Sequence, residues 1–302
     1  MRLSRRFLVA ALVALVVATT ACTAILGDFT LSGGGDDTPF DGATTDATGT
    51  DGSKGSDASS PTDSGVDSGP QRFCDTQTAP PDASDFHCAD FDETNFEQGF
   101  VDASVTDGGG ALTQDPSAFF SSPNSAFTSI TSTNGAMAYL YWQRGGPNVV
   151  NHITLSAAIK EDFAETLNTN GVIELLTLNI GPAASEYVVA FVYAFDQANA
   201  TAGGTFTGYA LMILLPAQSP SFYPTGVLSQ AGGFTNVKLD YDGVMHRAQV
   251  FYDGTNVSLQ NYASLSGNLS VQALVGGNSV NIGATELQGQ WNIDNAIFTA
   301  SP

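Results

Sequence analysis

The chain has 302 residues, room for one large domain or two small ones, and sets 30 Asp and Glu against 9 Lys and Arg for a formal net charge of −21. So acidic a surface repels phosphate backbones, which sets nucleic-acid binding aside, and it disfavours direct adhesion to anionic lipid headgroups. Any link to a membrane must come from a dedicated segment.

The N-terminus supplies one. Arg2, Arg5 and Arg6 make a basic start, Phe7 to Val17 is an apolar run too short to span a bilayer, and Thr19-Thr20-Ala21-Cys22 places small residues before a cysteine. That is the three-part order of a secretory signal. With the cysteine straight after the small residues, it resembles a bacterial lipoprotein signal. The resemblance implies removal of residues 1–21, lipidation of Cys22, and an exported protein held to the membrane by its N-terminal lipid alone. Thr23 is not an Asp-type inner-membrane retention residue, which points to the outer membrane or cell surface. An ordinary cleaved signal with an incidental cysteine is the alternative.

Residues 22–70 open on the semi-apolar Thr23 to Phe29. Gly, Ser, Thr and Ala then dominate, with Asp36, Asp37, Asp41, Asp46, Asp51, Asp57, Asp63 and Asp67 recurring among them and Lys54 the lone base. Almost nothing apolar offsets the entropy of ordering, so the stretch reads as a disordered tether. As a flexible coil it reaches roughly 35 Å. Calcium-binding Asp/Gly repeats need a fixed short period with an intervening apolar residue, and neither is present.

Beyond the tether, Cys74 and Cys88 are an even pair in an exported chain, for which a disulfide is the default. Closing that loop contributes about 3 kcal/mol by the chain-entropy account. A zinc site would need further ligands, and only His87 lies near.

From Phe73 onward the chain reads as strand and turn. Early strands are expected at Phe100 to Val105, Ala126 to Thr131 and Met137 to Trp142. His152 to Lys160 alternates, with Ile153, Leu155, Ala157 and Ile159 on one face. Val172 to Ile180, Tyr187 to Phe195 and Tyr209 to Leu215 are apolar on both faces, as in a sheet covered on both sides. A meander follows: Asn236 to Tyr241, Met245 to Tyr252 and Asn256 to Tyr262, turning at Asp242-Gly243 and Asp253-Gly254. Leu269 to Val275 and Gln290 to Thr299 come last. Only Lys160 to Asn168 suits a helix. The expectation is an all-β fold, an antiparallel β-sandwich of jelly-roll type at residues 71–302, preceded by signal peptide and disordered linker.

Three stretches carry a further likeness: Cys88-Ala89-Asp90-Phe91-Asp92-Glu93 followed by Phe100, Ser121-Ser122-Pro123-Asn124-Ser125-Ala126, and Trp291-Asn292-Ile293-Asp294-Asn295-Ala296-Ile297. In their order and spacing they resemble the first strand, the turn into the next, and the last strand of the concanavalin A-like lectin/glucanase superfamily, including laminin G-like domains. The resemblance covers about Phe73 to Pro302 and implies a carbohydrate or protein ligand. Lipidated cysteine, tether and this domain together resemble secreted lipoproteins abundant in myxobacteria.

Chemistry is sparser. The Glu-x-Asp-x-x-Glu string of the superfamily's glucanases is absent. Glu161, Asp162 and Glu165 come nearest, and their spacing suits a solvated helical or turn surface. Glu174 interrupts the apolar alternation of Val172, Leu176 and Leu178; it reads either as an outward residue on a concave face or as half of a carboxylate pair with Glu186. His87, His152 and His246 are scattered outside any metalloprotease or hydrolase pattern. Tyr139, Tyr141 and Trp142 cluster beside the turn at Arg144-Gly145-Gly146-Pro147, where an exposed ring would stack on a sugar, or else they belong to the core. Calcium is the one cofactor left open, with Asp240 and Asp242 as ligands or as plain turn formers. The sum points to a non-catalytic, lectin-like module using Tyr141, Trp142 and Glu174 to bind an envelope or extracellular carbohydrate or surface protein. A glycan-degrading enzyme of the same fold and a structural envelope protein are the alternatives. Oligomeric state is left open.

Overall fold

The alternation at Ile153, Leu155, Ala157 and Ile159 builds a strand whose apolar side is sealed, each of the four being 2% exposed or less. A computed structural model describes residues 72–302 apart from residue 94 and the stretches 96–98, 106–108, 133–134, 145–149, 167–169, 182–186, 229–231, 263–269 and 281–286. The signal and tether readings, Cys22 included, fall outside the described residues, as do Glu186 and the turn at 145–147. The described residues belong to one compact unit, Pro70–Pro302.

Among the described residues, fifteen strands follow a short 3-10 turn at Cys74–Thr76: β1 (Asp85–Ala89), β2 (Asp102–Val105), β3 (Gly110–Asp115), β4 (Ser125–Ser132), β5 (Met137–Arg144), β6 (His152–Thr166), β7 (Gly171–Ile180), β8 (Tyr187–Ala198), β9 (Thr205–Leu214), β10 (Ser221–Gly226), β11 (Thr235–Asp242), β12 (Arg247–Tyr252), β13 (Thr255–Asn261), β14 (Val271–Val280) and β15 (Leu287–Ser301). They make two antiparallel sheets, the expected sandwich. One runs β13-β12-β11-β6-β15-β4-β3 with β1 also beside β15; the other runs β10-β9-β8-β7-β14-β5-β2. Between them lies a core centred on Trp142, Trp291, Tyr241, Phe191, Phe195 and Phe298, all under 2% exposed. Burying each such ring removes about 1.5–3 kcal/mol worth of apolar surface from water, which is what holds the sheets face to face.

Strand β15 is the spine. It pairs with β6 along its length, while its other edge takes β4 at Leu287 to Ile293 and β1 at Ala296 to Ala300. The change of partner falls at Asp294-Asn295, where the register with β6 slips and Asn295 adopts a φ of 52°. The Asp294 carboxylate accepts the backbone N–H groups of Phe120 and Ser121 at 2.8 Å each, tying the β3–β4 loop to the switch. The disulfide Cys74–Cys88 is present, joining the 3-10 turn to β1.

The helix expected at Lys160 to Asn168 is instead strand through Thr166, with residues 167–169 undescribed. Its pairing with Leu287 to Asn292 overrides local propensity. Glu161, expected on a solvated surface, turns inward and accepts the Tyr209 phenol, which in turn accepts Trp291 Nε1–H at 3.1 Å. Two strands were not expected, β3 and β10; both are sheet edges, and β10 carries Pro224, which an edge tolerates because its missing N–H leaves no ladder bond unmade.

The seven-stranded sheet is bulged on two neighbouring strands. Between Val275 and Asn278 the β14–β7 register slips at Gly276-Gly277, and between Glu174 and Leu176 the β7–β8 register slips at Leu175. Gly276 sits at φ 136°, and a Cβ there would lie 2.4 Å from the Ala138 carbonyl oxygen. Gly276→Ala is therefore expected to cost about 3 kcal/mol or more in urea unfolding; a loss within about 0.5 kcal/mol, the range of a surface substitution, contradicts this packing.

Candidate functional site

The seven-stranded sheet has two faces, and alternation assigns them. On β5, Ala138, Leu140 and Trp142 enter the core, so Tyr139, Tyr141 and Gln143 face outward. On β7, Ile173, Leu175, Leu176, Leu178 and Ile180 are core, so the bulge puts Leu175 and Leu176 both inward and leaves Val172, Glu174, Thr177 and Asn179 outward. On β14, Val271, Ala273 and Val275 are core, leaving Gln272 and Asn278 outward.

Cross-strand register then sets the outward groups in rows. Gln143 stands beside Gln272 and Gln272 beside Asn179; the Asn179 amide donates to Gln272 Oε1 at 3.2 Å. Asp102 stands beside Tyr141, and Ser104 beside Tyr139. Asn278 stands beside Glu174 and donates from Nδ2 to Glu174 Oε2 at 2.8 Å; the Thr177 hydroxyl reaches the same oxygen at 3.4 Å. The face changes character across β7. Beyond it Val188, Ala190, Val192, Ala194, Ala210, Met212 and Phe222 make an apolar cluster drawn wholly from strands of this sheet.

Within the polar half, Gln143 and Asp102 are exposed and Tyr141, Gln272, Asn179 and Asn278 half-buried, while Glu174 is 7% exposed. Desolvation pushes the Glu174 carboxyl up to about 7, only partly opposed by its two hydrogen bonds. At neutral pH it is thus divided between acid and carboxylate. Tyr139 and Tyr141 meet edge to face with centroids 6.5 Å apart, and burial raises both phenols.

Of the residues singled out from sequence, Tyr141 and Glu174 share this face. Trp142 does not: at 1% exposed it stacks on Phe100 at 4.2 Å and donates to the Gly99 carbonyl, because its neighbour Tyr141 has taken the outward phase. The partners Thr177, Asn179, Gln272 and Asn278 were missed. Gly276-Gly277 inside an apolar run was the signal, since paired glycines there mark a bulge as readily as a strand end.

The carboxylates suggested for calcium are committed elsewhere. Asp240 contacts His152 at 3.3 Å and Lys238 at 3.4 Å, and Asp242 accepts the Val244 and Met245 amides of its own turn. Burial raises the Asp240 carboxyl, but His152 and Lys238 outweigh it and hold it below its usual value. Another acidic corner follows β1: Asp92 accepts the N–H of Asn124, just ahead of β4, at 3.0 Å, and Asp90 accepts the N–H of Cys74 in the 3-10 turn at 3.1 Å. Desolvation pushes Asp92 up to about 6 and Asp294 up to about 7. Among the described residues no group of three or more His, Cys, Asp or Glu is arranged to hold a metal ion.

No protein-family model matches the chain, and no curated protein sequence matches it. Solved structures are similar at low identity. They include a cellulose-induced protein (12% identity, TM-score 0.46, 70% of this chain and 95% of that one). Others are an endo-β-1,4-glucuronan lyase from the fungus Trichoderma reesei (11%, 0.44, 72% and 96%) and a marine alginate lyase of polysaccharide lyase family 7 from Zobellia galactanivorans (13%, 0.40, 66% and 94%). At these values the likeness carries no information about what this chain binds or does.

The raised carboxyls fix a pH dependence. A carboxyl whose pKa is higher folded than unfolded binds more protons in the native state, so stability falls as pH rises toward the folded value. Glu174, Asp92 and Asp294 act this way. His152, raised by its hydrogen bond to Asp240, acts in the same direction, its contribution being full below its unfolded pKa and lost as pH rises through the folded one. The melting temperature of the full chain is expected to be higher near pH 5 than near pH 8, with Glu174→Gln reducing the difference. A melting temperature that rises steadily toward pH 8 contradicts these assignments.

Proposed function

We propose that the chain is an exported, lipid-anchored protein whose domain at 71–302 binds glycans without cleaving them, through the polar half of the outer face of the seven-stranded sheet. One observation carries the reading: side-chain amides (Gln143, Gln272, Asn179, Asn278), the Ser104 hydroxyl and the Tyr141 ring stand in adjacent rows on one sheet face, with Tyr139 and Thr177 buried among them. Sugars present hydroxyls that both donate and accept, with apolar C–H faces between them. Amides, hydroxyls and a ring edge match that pattern better than they match an apolar or strongly charged ligand. The first-to-last-strand resemblance to concanavalin A-like domains supports the same reading. Binding without cleavage is favoured because Glu174 is the one carboxylate among the described residues of the β7–β14 rows, where a retaining hydrolase needs two at about 5 Å. Residues 1–21 serve as signal, Cys22 as the lipidated anchor and 22–70 as the tether holding the domain off the outer membrane or cell surface.

The purified full chain is tested on a glycan array, and its hits by calorimetry. Selective glycan binding is expected, with Tyr141→Ala weakening it about fivefold or more, a loss of about 1 kcal/mol. Incubation with the bound glycan is expected to release no reducing or unsaturated ends. Product release abolished by Glu174→Gln would instead establish an enzyme, and an array without hits would remove the glycan reading. Palmitate-analogue label lost in Cys22→Ser is the expected outcome for the anchor.

A further inference from the structure

The proposed face has a property that narrows its ligand. None of the basic side chains of the domain stands on the outer face of the seven-stranded sheet. Lys160 and Lys238 lie on β6 and β11 of the other sheet, paired with Asp162 and Asp240; Arg247 and His152 lie on β12 and β6 of that sheet, and His246 in the turn joining β11 to β12. His87, on β1, stacks against Trp142 and Phe298 at 5.8 and 5.9 Å. Arg72 is held by Glu93 near the N-terminal turn. Arg144 is on β5 itself, but on the inward phase with Trp142, and is ion-paired with Asp85 of β1.

The loops that the structure leaves undescribed between 72 and 302 do not change this, because sequence alone answers for them. None of their residues is Lys, Arg or His, whereas Glu97, Asp107, Glu186 and Glu286 are acids. The face itself carries Asp102, exposed beside Tyr141, and Glu174. A ligand with a carboxylate or sulfate on each sugar would thus meet amides and hydroxyls, no cation of residues 72–302, and a protein of strongly negative net charge.

We infer that the glycan taken by this face is uncharged, and that polyuronates and sulfated glycans are excluded by charge. The inference rests on the glycan-binding reading and adds to it the class of sugar.

The test uses matched pairs of oligosaccharides that share linkage and length and differ only at C6: glucan against glucuronan, mannan against polymannuronate, galactan against polygalacturonate. Binding to the full chain is measured by calorimetry at low and high salt. The neutral member of whichever pair binds is expected to bind at least about tenfold more tightly at low ionic strength, the gap narrowing near about 0.5 M salt as charges are screened. A second arm adds charge to exposed positions of the face: the Asp102→Lys, Gln143→Lys double variant is expected to gain affinity for the uronate member by about tenfold at low salt. Uronates bound as tightly as, or more tightly than, their neutral partners overturn the inference while leaving glycan binding intact. So does a double variant that leaves uronate affinity unchanged. Failure of every pair to bind overturns the glycan reading itself.

Discussion

Two bulges decide which side chains this protein shows to solvent. A strand of strict period two would put Glu174 on the same face as Leu176 and Leu178. The extra residue at Leu175 shifts the phase, so Leu175 and Leu176 both enter the core and Glu174, Thr177 and Asn179 stay outside together. The neighbouring slip at Gly276-Gly277 brings Asn278 opposite Glu174 and supplies the hydrogen bond that lets a carboxyl reside there at 7% exposure. Glycine is required at 276 because the backbone lies in left-handed space against the Ala138 carbonyl.

Around this, the sandwich is held by β15 and by polar ties placed where regular pairing fails. The change from β4 to β1 along one edge of β15 leaves a break in the ladder. Asp294 fills it by accepting two amides from the opposite loop, at the cost of burying a carboxyl that resists ionisation. Farther back along the strand, Glu161, Tyr209 and Trp291 link the two sheets through hydrogen bonds, as Thr128 with Ala138 and Gly277, and Thr225 with Tyr252, also do. Such buried groups fix register between sheets, since no other alignment satisfies all three.

Much of the architecture was legible. Strict alternation at His152 to Lys160, apolar runs at β7 to β9 and Asp-Gly turns in the β11–β13 meander each mapped onto strands, because the face that each segment buries in the core selects the strand period. The failures have physical causes. Lys160 to Thr166 looked helical because its charges fall at helical spacing, yet β15 needed a partner along its whole length. Gly276-Gly277 looked like a strand end and proved to be a bulge, which hid Asn278 and with it half of the candidate site. Tyr141 and Trp142 are adjacent, so a strand had to send them to opposite faces; the sequence did not say which, and the core took the larger ring. The disulfide was foreseeable from the even number of cysteines in the domain and the expectation of export.

Charge and geometry then converge on one side of the molecule. Among the described residues the basic side chains lie on or near the eight-stranded sheet, at the N-terminal turn or on the inward side of β5, while the outer face of the seven-stranded sheet offers amides, hydroxyls and tyrosines without a cation. The most direct examination of that division is amide and side-chain NMR of the deuterated full chain, titrated with a neutral oligosaccharide that it binds. Shifts concentrated at Ser104, Tyr141, Gln143, Gln272 and Asn278 are the expected result. Shifts confined to the outer side of the eight-stranded sheet, with those five unmoved, would contradict the account.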